Sequence, residues 1–140
     1  MKITTDKKYL NNICKPLNIY DSIEIAKKMK LFLLSNKNIE RKTLGLACNQ
    51  LRLKGRVILV RNHNNKFLTY INPRIVWKSD ETIVNQEECL SVPKKQIDVV
   101  RHLTIKIKDD HQCCGAVTFC GQEALILQHE IDHLNGILID

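Results

Sequence analysis

The sequence predicts an α+β fold, with short, mostly antiparallel strands around a C-terminal helix and one long N-terminal helix. Three observations predict it: a helical apolar period over residues 22–37, an alternation of apolar and polar residues at 103–108, and a second helical period after Gly121. A length of 140 residues, with 44% hydrophobic and 26% charged residues, suits an ordinary globular protein. We therefore expect a single domain over residues 1–140.

The N-terminal part is expected to contain one long helix. Residues 1–20 are expected to be irregular because Pro16 interrupts regular structure, and Asp21 and Ser22 are candidates to cap a helix over residues 22–37. The apolar stripe of this helix consists of Ile23, Ala26, Met29 or Lys30, Leu33 and Leu34.

Between residues 43 and 120 the pattern changes to short strands. Runs of β-branched and aromatic residues bounded by turn residues predict them. The last strand is expected to pair with the one before it, through turn-like residues 109–115. The candidates are Val57–Val60, Phe67–Ile71, Ile75–Trp77, Thr82–Val84, Val99–Lys108 and Val117–Phe119.

The late helix carries the residues that indicate chemistry. Residues 129–133 read His-Glu-Ile-Asp-His, and positions i and i+4 of a helix share one face, so both imidazoles can reach one metal ion. A bound metal lowers the pKa of water, and Glu130 can take up the proton. The apolar residues 124–127 favour a buried helix, where polar groups must be paired or ligated, and Gly136 suits its C-terminal end.

A catalytic metal site usually has three protein ligands, so a third is needed. Cys89 is the favoured candidate because it lies between two strand candidates, but spacing alone leaves the other cysteines and histidines open. These are Cys14, Cys48, Cys113, Cys114, Cys120, His63, His102 and His111.

The overall composition limits the cellular compartments and the partners that we expect for this chain. A formal net charge of +7 suits either a solubilising surface or attraction to a polyanion such as RNA, and no basic run studded with aromatic residues supports a dedicated nucleic-acid site. The first ten residues lack the apolar core of a signal peptide, and no apolar run is long enough to span a membrane. Six cysteines without CxxC spacing then indicate free thiols in a reducing, cytoplasmic compartment.

Three segments resemble, in order, the three motifs of the peptide deformylases. Residues 43–50 resemble GxGLAAxQ, residues 87–91 resemble EGCLS, and residues 129–134 resemble HExDHL. Members of this family remove the formyl group from the N-terminal formylmethionine of nascent chains and release formate. The resemblance implies the same reaction here, with one divalent metal ion, Fe(II) or Zn(II), as cofactor.

The resemblance also implies a role for each matched residue. Glu130 would be the general acid and base, while Gln50 and the backbone N–H of Leu90 would form the oxyanion hole. The expected metal ligands are Cys89, His129 and His133. Asp132 is expected to orient a ligand histidine or to pair with Arg101.

The same comparison implies how a peptide binds. The peptide would add as a strand along the first motif, and its methionine side chain would enter an apolar pocket, although such apolar residues are equally typical of a core. The residues expected to bind substrate are Leu44, Gly45, Leu46, Leu125 and Ile126.

Four positions depart from the family pattern. Thr43 replaces a glycine, Cys48 an alanine and Glu88 a glycine, and Gln96 stands where many bacterial members have arginine. If the backbone at Glu88 needs a positive φ, a glutamate would strain it, and its charge would disturb the substrate groove. The compact chain resembles deformylases encoded by bacteriophages, which would place it in the cytoplasm of a bacterial host, with transient association with the ribosome.

Two alternatives stay open at this stage. One is another HExxH hydrolase, such as a zinc endopeptidase, which would need a third ligand other than Cys89. The other is a relative that binds peptides without hydrolysing them, and the glutamate at position 88 motivates it.

Overall fold

The computed structural model describes residues 1–112 and 114–140. In chain order its helices are α1 (Lys7–Leu10), α2 (Ile19–Ser35), α3 (Lys37–Lys42) and α4 (Gln122–Leu134). Its strands are β1 (Gly45–Ala47), β2 (Val57–Arg61), β3 (Phe67–Ile71), β4 (Arg74–Lys78), β5 (Thr82–Cys89), β6 (Val92–His102), β7 (Thr104–Lys108) and β8 (Val117–Cys120). A short 3-10 turn, Cys48–Leu51, follows β1.

The long N-terminal helix is confirmed, but it begins earlier than the sequence predicts. Asn18 is its N-cap, since its side-chain oxygen accepts the N–H of Asp21 at 2.8 Å, and the expectation that Asp21 or Ser22 is the cap was wrong. Ser22 is instead fully buried. The helix ends at Ser35, and residues 37–42 form the separate helix α3.

The strands form antiparallel pairs throughout the described residues. β2 lies between β1 and β3, β7 lies between β4 and β8, and β5 pairs with β6 as a hairpin. The predicted pairing of the last strand with the preceding one is confirmed, because Val117 lies opposite Ile107.

The single strand predicted over Val99–Lys108 is wrong, because it is two strands in different sheets. β6 ends at His102 and β7 begins at Thr104. Between them the N–H of Leu103 donates to the carbonyl of Glu81 at 3.1 Å, and the chain passes from the hairpin to the neighbouring sheet. The alternation of apolar and polar residues continues through the turn, so this pattern alone does not show that the chain changes the strand with which it pairs.

Helix α4 occupies the centre of the core. Ala124, Leu127 and Leu134 are completely buried, and the helix packs against β1 and β2. Gly136 follows the helix with a φ of +73°, the left-handed conformation that commonly ends helices and that glycine adopts without strain. None of the helices in the described ranges has the length and apolar character that crossing a bilayer requires.

Candidate metal centre

Cys89, His129 and His133 come together although they lie on different elements. Helix α4 presents both histidines on one face, with ring centroids 5.1 Å apart, and β5 ends at Cys89 beside them. The Cys89 Sγ lies 3.3 Å from His133 Nε2, and one donor atom from each of the three residues lies within 4.8 Å of the others. Among the described residues, this is the group that could hold a metal ion.

The chemistry of the three donors fits a divalent transition metal. One thiolate and two imidazoles are ligands that Zn(II) and Fe(II) accept, and three protein ligands leave a coordination position open. Burial and the positive charge of His129 lower the pKa of His133 to about 3, so this imidazole is neutral and its nitrogen can bind a metal.

His129 is oriented by Glu87. Its Nδ1 lies 2.8 Å from a carboxylate oxygen of Glu87, which leaves Nε2 free to face the centre. Burial alone would lower the pKa of His129, but its hydrogen bonds with Cys89 and Glu87 raise that pKa to about 10. A metal must therefore displace a proton when it binds this imidazole.

Behind Glu87 lies a buried network of charges. Arg101 donates to both carboxylate oxygens of Glu87, at 2.9 and 2.8 Å, and to Asp132 at 2.5 Å. Burial alone would raise the pKa of Glu87, yet the hydrogen bonds from Arg101 and His129 lower it to about 2. The expected pairing of Asp132 with Arg101 is found in the structure.

Sequence reasoning gave Glu87 no role of its own. The available signal was its position two residues before Cys89, because alternate residues of a strand share a face. Glu87 and Cys89 are indeed both buried, whereas Glu88 between them is exposed.

Glu130 lies beside the candidate metal centre, and its side chain packs against the backbone at Gly45. A Cβ at Gly45 would lie 2.6 Å from the Oε2 of Glu130, so a larger residue there would have to displace the Glu130 side chain. Glu130 is 4% exposed, and its Oε1 has no hydrogen-bond partner within the described ranges. Burial raises the pKa of Glu130 to about 7, which suits a group that exchanges protons near neutral pH.

Gln50 and Leu90 lie on the side of Cys89. The Gln50 Oε1 accepts the N–H of Ala47 at 3.0 Å, which fixes the amide so that its Nε2 is 3.1 Å from Ser91 Oγ and 3.8 Å from Cys89 Sγ. Leu90 follows Cys89 at the tip of the β5–β6 hairpin. An N–H donor thus lies beside the thiol of Cys89.

An open groove of about 870 Å³ leads to this centre. Residues 42–45 line one side and residues 85–90 the other, and α4 contributes its floor. Leu44, Gly45, Leu125 and Ile126 line it as expected, whereas the side chain of Leu46 is completely buried in the core and reaches no groove surface. Any contact of Leu46 with a peptide is therefore through its backbone.

Two departures from the family pattern have local explanations. The Thr43 hydroxyl donates to the carbonyl of Gly45 at 2.6 Å, and the φ of Thr43 is −88°, which suits any residue. The Cys48 thiol is buried and donates to the carbonyl of Gly55 at 3.1 Å. Neither substitution reaches the metal ligands.

The expectation of strain at Glu88 was wrong. Among the residues that the structure describes, the non-glycine residues with positive φ are Arg52, Asn65, Asn72 and Lys94. Glu88 is not one of them. It lies in β5, where the register with β6 shifts between Glu87 and Cys89, and its side chain is exposed. Its carboxylate accepts a hydrogen bond from Gln96 at 2.8 Å.

The whole chain matches one protein family. The sequence model described as polypeptide deformylase aligns with residues 1–140. The chain belongs to the polypeptide deformylase family. The family is metal-dependent, and the Cys89, His129 and His133 group is the corresponding candidate site in this chain.

Curated peptide deformylases give the same assignment. The enzyme of Synechocystis sp. is 36% identical over 125 residues, which cover 84% of this chain and 64% of that protein. The enzyme of Polynucleobacter necessarius is 38% identical over 97 residues, which cover 66% of this chain and 57% of that protein. The chain thus spans about three-fifths of the length of these relatives.

Solved deformylase structures have the same fold. A class I type b peptide deformylase from Acinetobacter baumannii superposes with a TM-score of 0.82 at 32% identity, covering 99% of this chain and 95% of that one. A probable peptide deformylase from Synechococcus phage S-SSM7 superposes with a TM-score of 0.82 at 29% identity, covering 99% and 97%. The predicted α+β fold with a C-terminal helix is confirmed.

Proposed function

We propose that residues 1–140 form a peptide deformylase, a metal-dependent hydrolase that removes the formyl group from N-terminal formylmethionine of newly synthesised polypeptides. One observation carries the proposal: Glu130, a buried acid with a pKa of about 7, lies beside the Cys89, His129 and His133 donors at the floor of an open groove. Amide hydrolysis needs this combination, because one group must both accept and return a proton.

Each of the matched residues is assigned one part of the hydrolysis reaction. Cys89 and the two histidines would hold a divalent metal ion, which would supply Lewis-acid polarisation and lower the pKa of water. Glu130 accepts the proton of the attacking water and passes it to the departing amine. The Gln50 amide and the N–H of Leu90 donate hydrogen bonds to the oxyanion that develops on the formyl oxygen.

The groove suits an extended peptide. Within the described ranges β1 pairs only with β2 and β5 only with β6, so each presents an open strand edge. Residues near both edges line the groove, and a peptide added there would form main-chain hydrogen bonds. Its methionine side chain would enter between Leu44, Leu125 and Ile126. The Acinetobacter baumannii relative has been crystallised with Met-Ala-Ser bound, the peptide that remains once formyl-Met-Ala-Ser is deformylated.

The resident metal is proposed to be Fe(II) or Zn(II). Both metals accept a thiolate and two imidazoles, so the ligand types do not distinguish between Fe(II) and Zn(II). An Fe(II)–thiolate centre is oxidised by air, and the protein should therefore be purified anaerobically before its metal content is measured. Ribosome association, a phage source and a cytoplasmic location stay predictions.

Formate release tests the proposed function. We expect metal-loaded protein to release one formate per formyl-Met-Ala-Ser consumed, and Cys89→Ser to lose both bound metal and activity because one of three ligands is weakened. Exposed Cys120→Ser is the matched control and should behave as wild type. No formate from the metal-loaded protein would overturn the proposal. Unchanged metal content in Cys89→Ser would favour another HExxH hydrolase with a different third ligand.

The alternative of a peptide binder without turnover loses one of its two motives, because the backbone at Glu88 is not strained. It was motivated by strain and charge at Glu88, but that residue has an ordinary φ and points its side chain away from the buried face of β5. The metal-ligating donors and Glu130 are undisturbed by it. Peptide binding by calorimetry without formate release would restore this alternative.

Gly45→Ala should reduce turnover by displacing Glu130. The new Cβ would lie 2.6 Å from its Oε2 and 2.9 Å from its Cγ, and the buried carboxylate must shift to avoid it. Misplacing a reacting group by a fraction of an ångström to 1 Å lowers kcat by about 10- to 100-fold. Formate-release kinetics measure this, with Gly115→Ala as control because a Cβ there meets nothing within 4 Å. Equal kcat values in the two variants would contradict the assigned position of Glu130.

A further inference from the structure

Two of the departures from the family pattern contact each other. Glu88 and Gln96 face one another across the β5–β6 hairpin, and the Gln96 Nε2 donates to a carboxylate oxygen of Glu88 at 2.8 Å. Both residues line the groove that leads to the metal centre. The hydrogen bond restricts the Glu88 side chain, so its charge has a defined place on the groove wall.

The alternation of β5 determines which part of a peptide this carboxylate faces. Glu87 and Cys89 are buried towards α4, and Glu88 between them is on the opposite, exposed face. In an extended peptide the side chains alternate in the same way. If the methionine side chain of a bound peptide points towards Leu125 and Ile126, the side chain of the next peptide residue therefore points to the opposite face, on which Glu88 lies.

The carboxylate of Glu88 has a different environment from those of the other acidic residues that line the groove. Glu87 is paired with Arg101, and Glu130 is buried at the floor. The hydrogen-bond partner of Glu88 is the neutral amide of Gln96, and Glu88 belongs to none of the ion pairs among the described residues.

Three lysines, Lys42, Lys94 and Lys95, also line the groove. Lys95 forms an ion pair with Asp140 at 2.8 Å. Lys94 follows the turn after Cys89, and Lys42 lies at the end of α3, three residues before Gly45. Glu88 directly precedes Cys89, and among the acidic residues that the structure places in the groove lining it is the exposed one.

We propose that Glu88, positioned by Gln96, is a specificity-determining residue that favours a basic over an acidic side chain directly after the formylmethionine. This inference rests on the proposed deformylase function. A cationic side chain on this face would lie beside the carboxylate, and an anionic one would be repelled. The interaction is exposed to solvent, so it adjusts the rate among substrates and does not decide whether a peptide is hydrolysed.

The test compares kcat/KM for formyl-Met-Lys-Ser and formyl-Met-Glu-Ser, with formate release as the readout, in metal-loaded protein at low ionic strength. Glu88→Gln keeps the shape and the contact with Gln96 but removes the charge. We expect the lysine-to-glutamate ratio of kcat/KM to fall by about three- to tenfold in this variant, the size of one charge interaction in water. High salt should reduce the wild-type ratio in the same direction, because exposed charges are screened.

The matched control is Glu81→Gln, which changes the net charge equally at an exposed residue outside the groove. Its lysine-to-glutamate ratio should equal that of wild type. A ratio that is the same in wild type and Glu88→Gln overturns the inference, and so does an equal fall in both variants, since that would be an effect of net charge. A wild-type protein that deformylates neither these peptides nor formyl-Met-Ala-Ser would instead overturn the proposed function.

Discussion

Replacing Glu130 by glutamine is expected to lower kcat for formate release by about 10²- to 10⁴-fold, because proton transfer in the transition state contributes that much. Glutamine has nearly the same shape, but its amide does not accept and return a proton at neutral pH. Glu130 is outside the Cys89, His129 and His133 group that could hold a metal ion, so metal content should be unchanged. Formate-release kinetics, together with metal analysis of the same sample, distinguish the loss of proton transfer by Glu130 from the loss of bound metal.

The control for this variant is Glu123→Gln. It makes the same substitution in the first turn of α4, at a residue that contacts His63 on the surface and does not line the groove. We expect its activity to stay within about twofold of wild type, as is usual for a surface substitution. Full activity in Glu130→Gln would remove this residue from the reaction.

Replacing Arg101 by leucine is expected to destabilise the folded protein by about 3–5 kcal/mol, because it removes the guanidinium that compensates the charge of the buried Glu87 carboxylate. Arg101 is 4% exposed and Glu87 is 7% exposed, so water does not replace the lost hydrogen bonds. Chemical denaturation of metal-loaded wild type and variant at neutral pH measures the difference in the free energy of unfolding.

Arg74→Leu is the matched control, since Arg74 pairs with Asp110 at 3.2 Å on the surface. Exposed pairs contribute at most about 1 kcal/mol. In the double variant Glu87→Gln, Arg101→Leu the uncompensated charge is absent, and it should be more stable than Arg101→Leu alone. Equal destabilisation by the Arg101 and Arg74 substitutions would contradict the importance of the buried network.

The effect of Arg101→Leu should depend on pH in a defined direction. The pKa of Glu87 is lowered in the folded protein from its ordinary value of 4.5 to about 2, so the carboxylate stabilises the fold above pH 4.5 and loses that contribution as the pH falls towards 2. The difference in stability between wild type and Arg101→Leu should therefore be largest at neutral pH and shrink over this acidic range. A difference that grows with acidification would contradict the sign of this pKa change.

The local patterns of the sequence predicted the elements well. The helical period and the turn residues identified α2, β2, β3, β8 and α4, and the i, i+4 spacing placed His129 and His133 on one face. These predictions succeed because each residue's burial depends on the direction it points from its own helix or strand.

Other features depend on partners distant in sequence, and local patterns did not predict them. β6 and β7 read as one strand because alternation continues through Leu103, while their partners, β5 and β4, lie in different sheets. The start of α2 was also misplaced, because Asn18 competes with Asp21 for the cap position and local sequence does not rank them.

The sequence by itself determined that one helix face carries two histidines with an acid one position after the first, and that Cys89 lies between two strand candidates. Only the tertiary structure decided that Glu87 orients His129 from 42 residues away, that Arg101 joins Glu87 to Asp132, and that Glu88 faces Gln96 over the groove. The physical reason is that helix periodicity acts over four residues, whereas these contacts depend on strand register and on how the β5–β6 hairpin packs against α4.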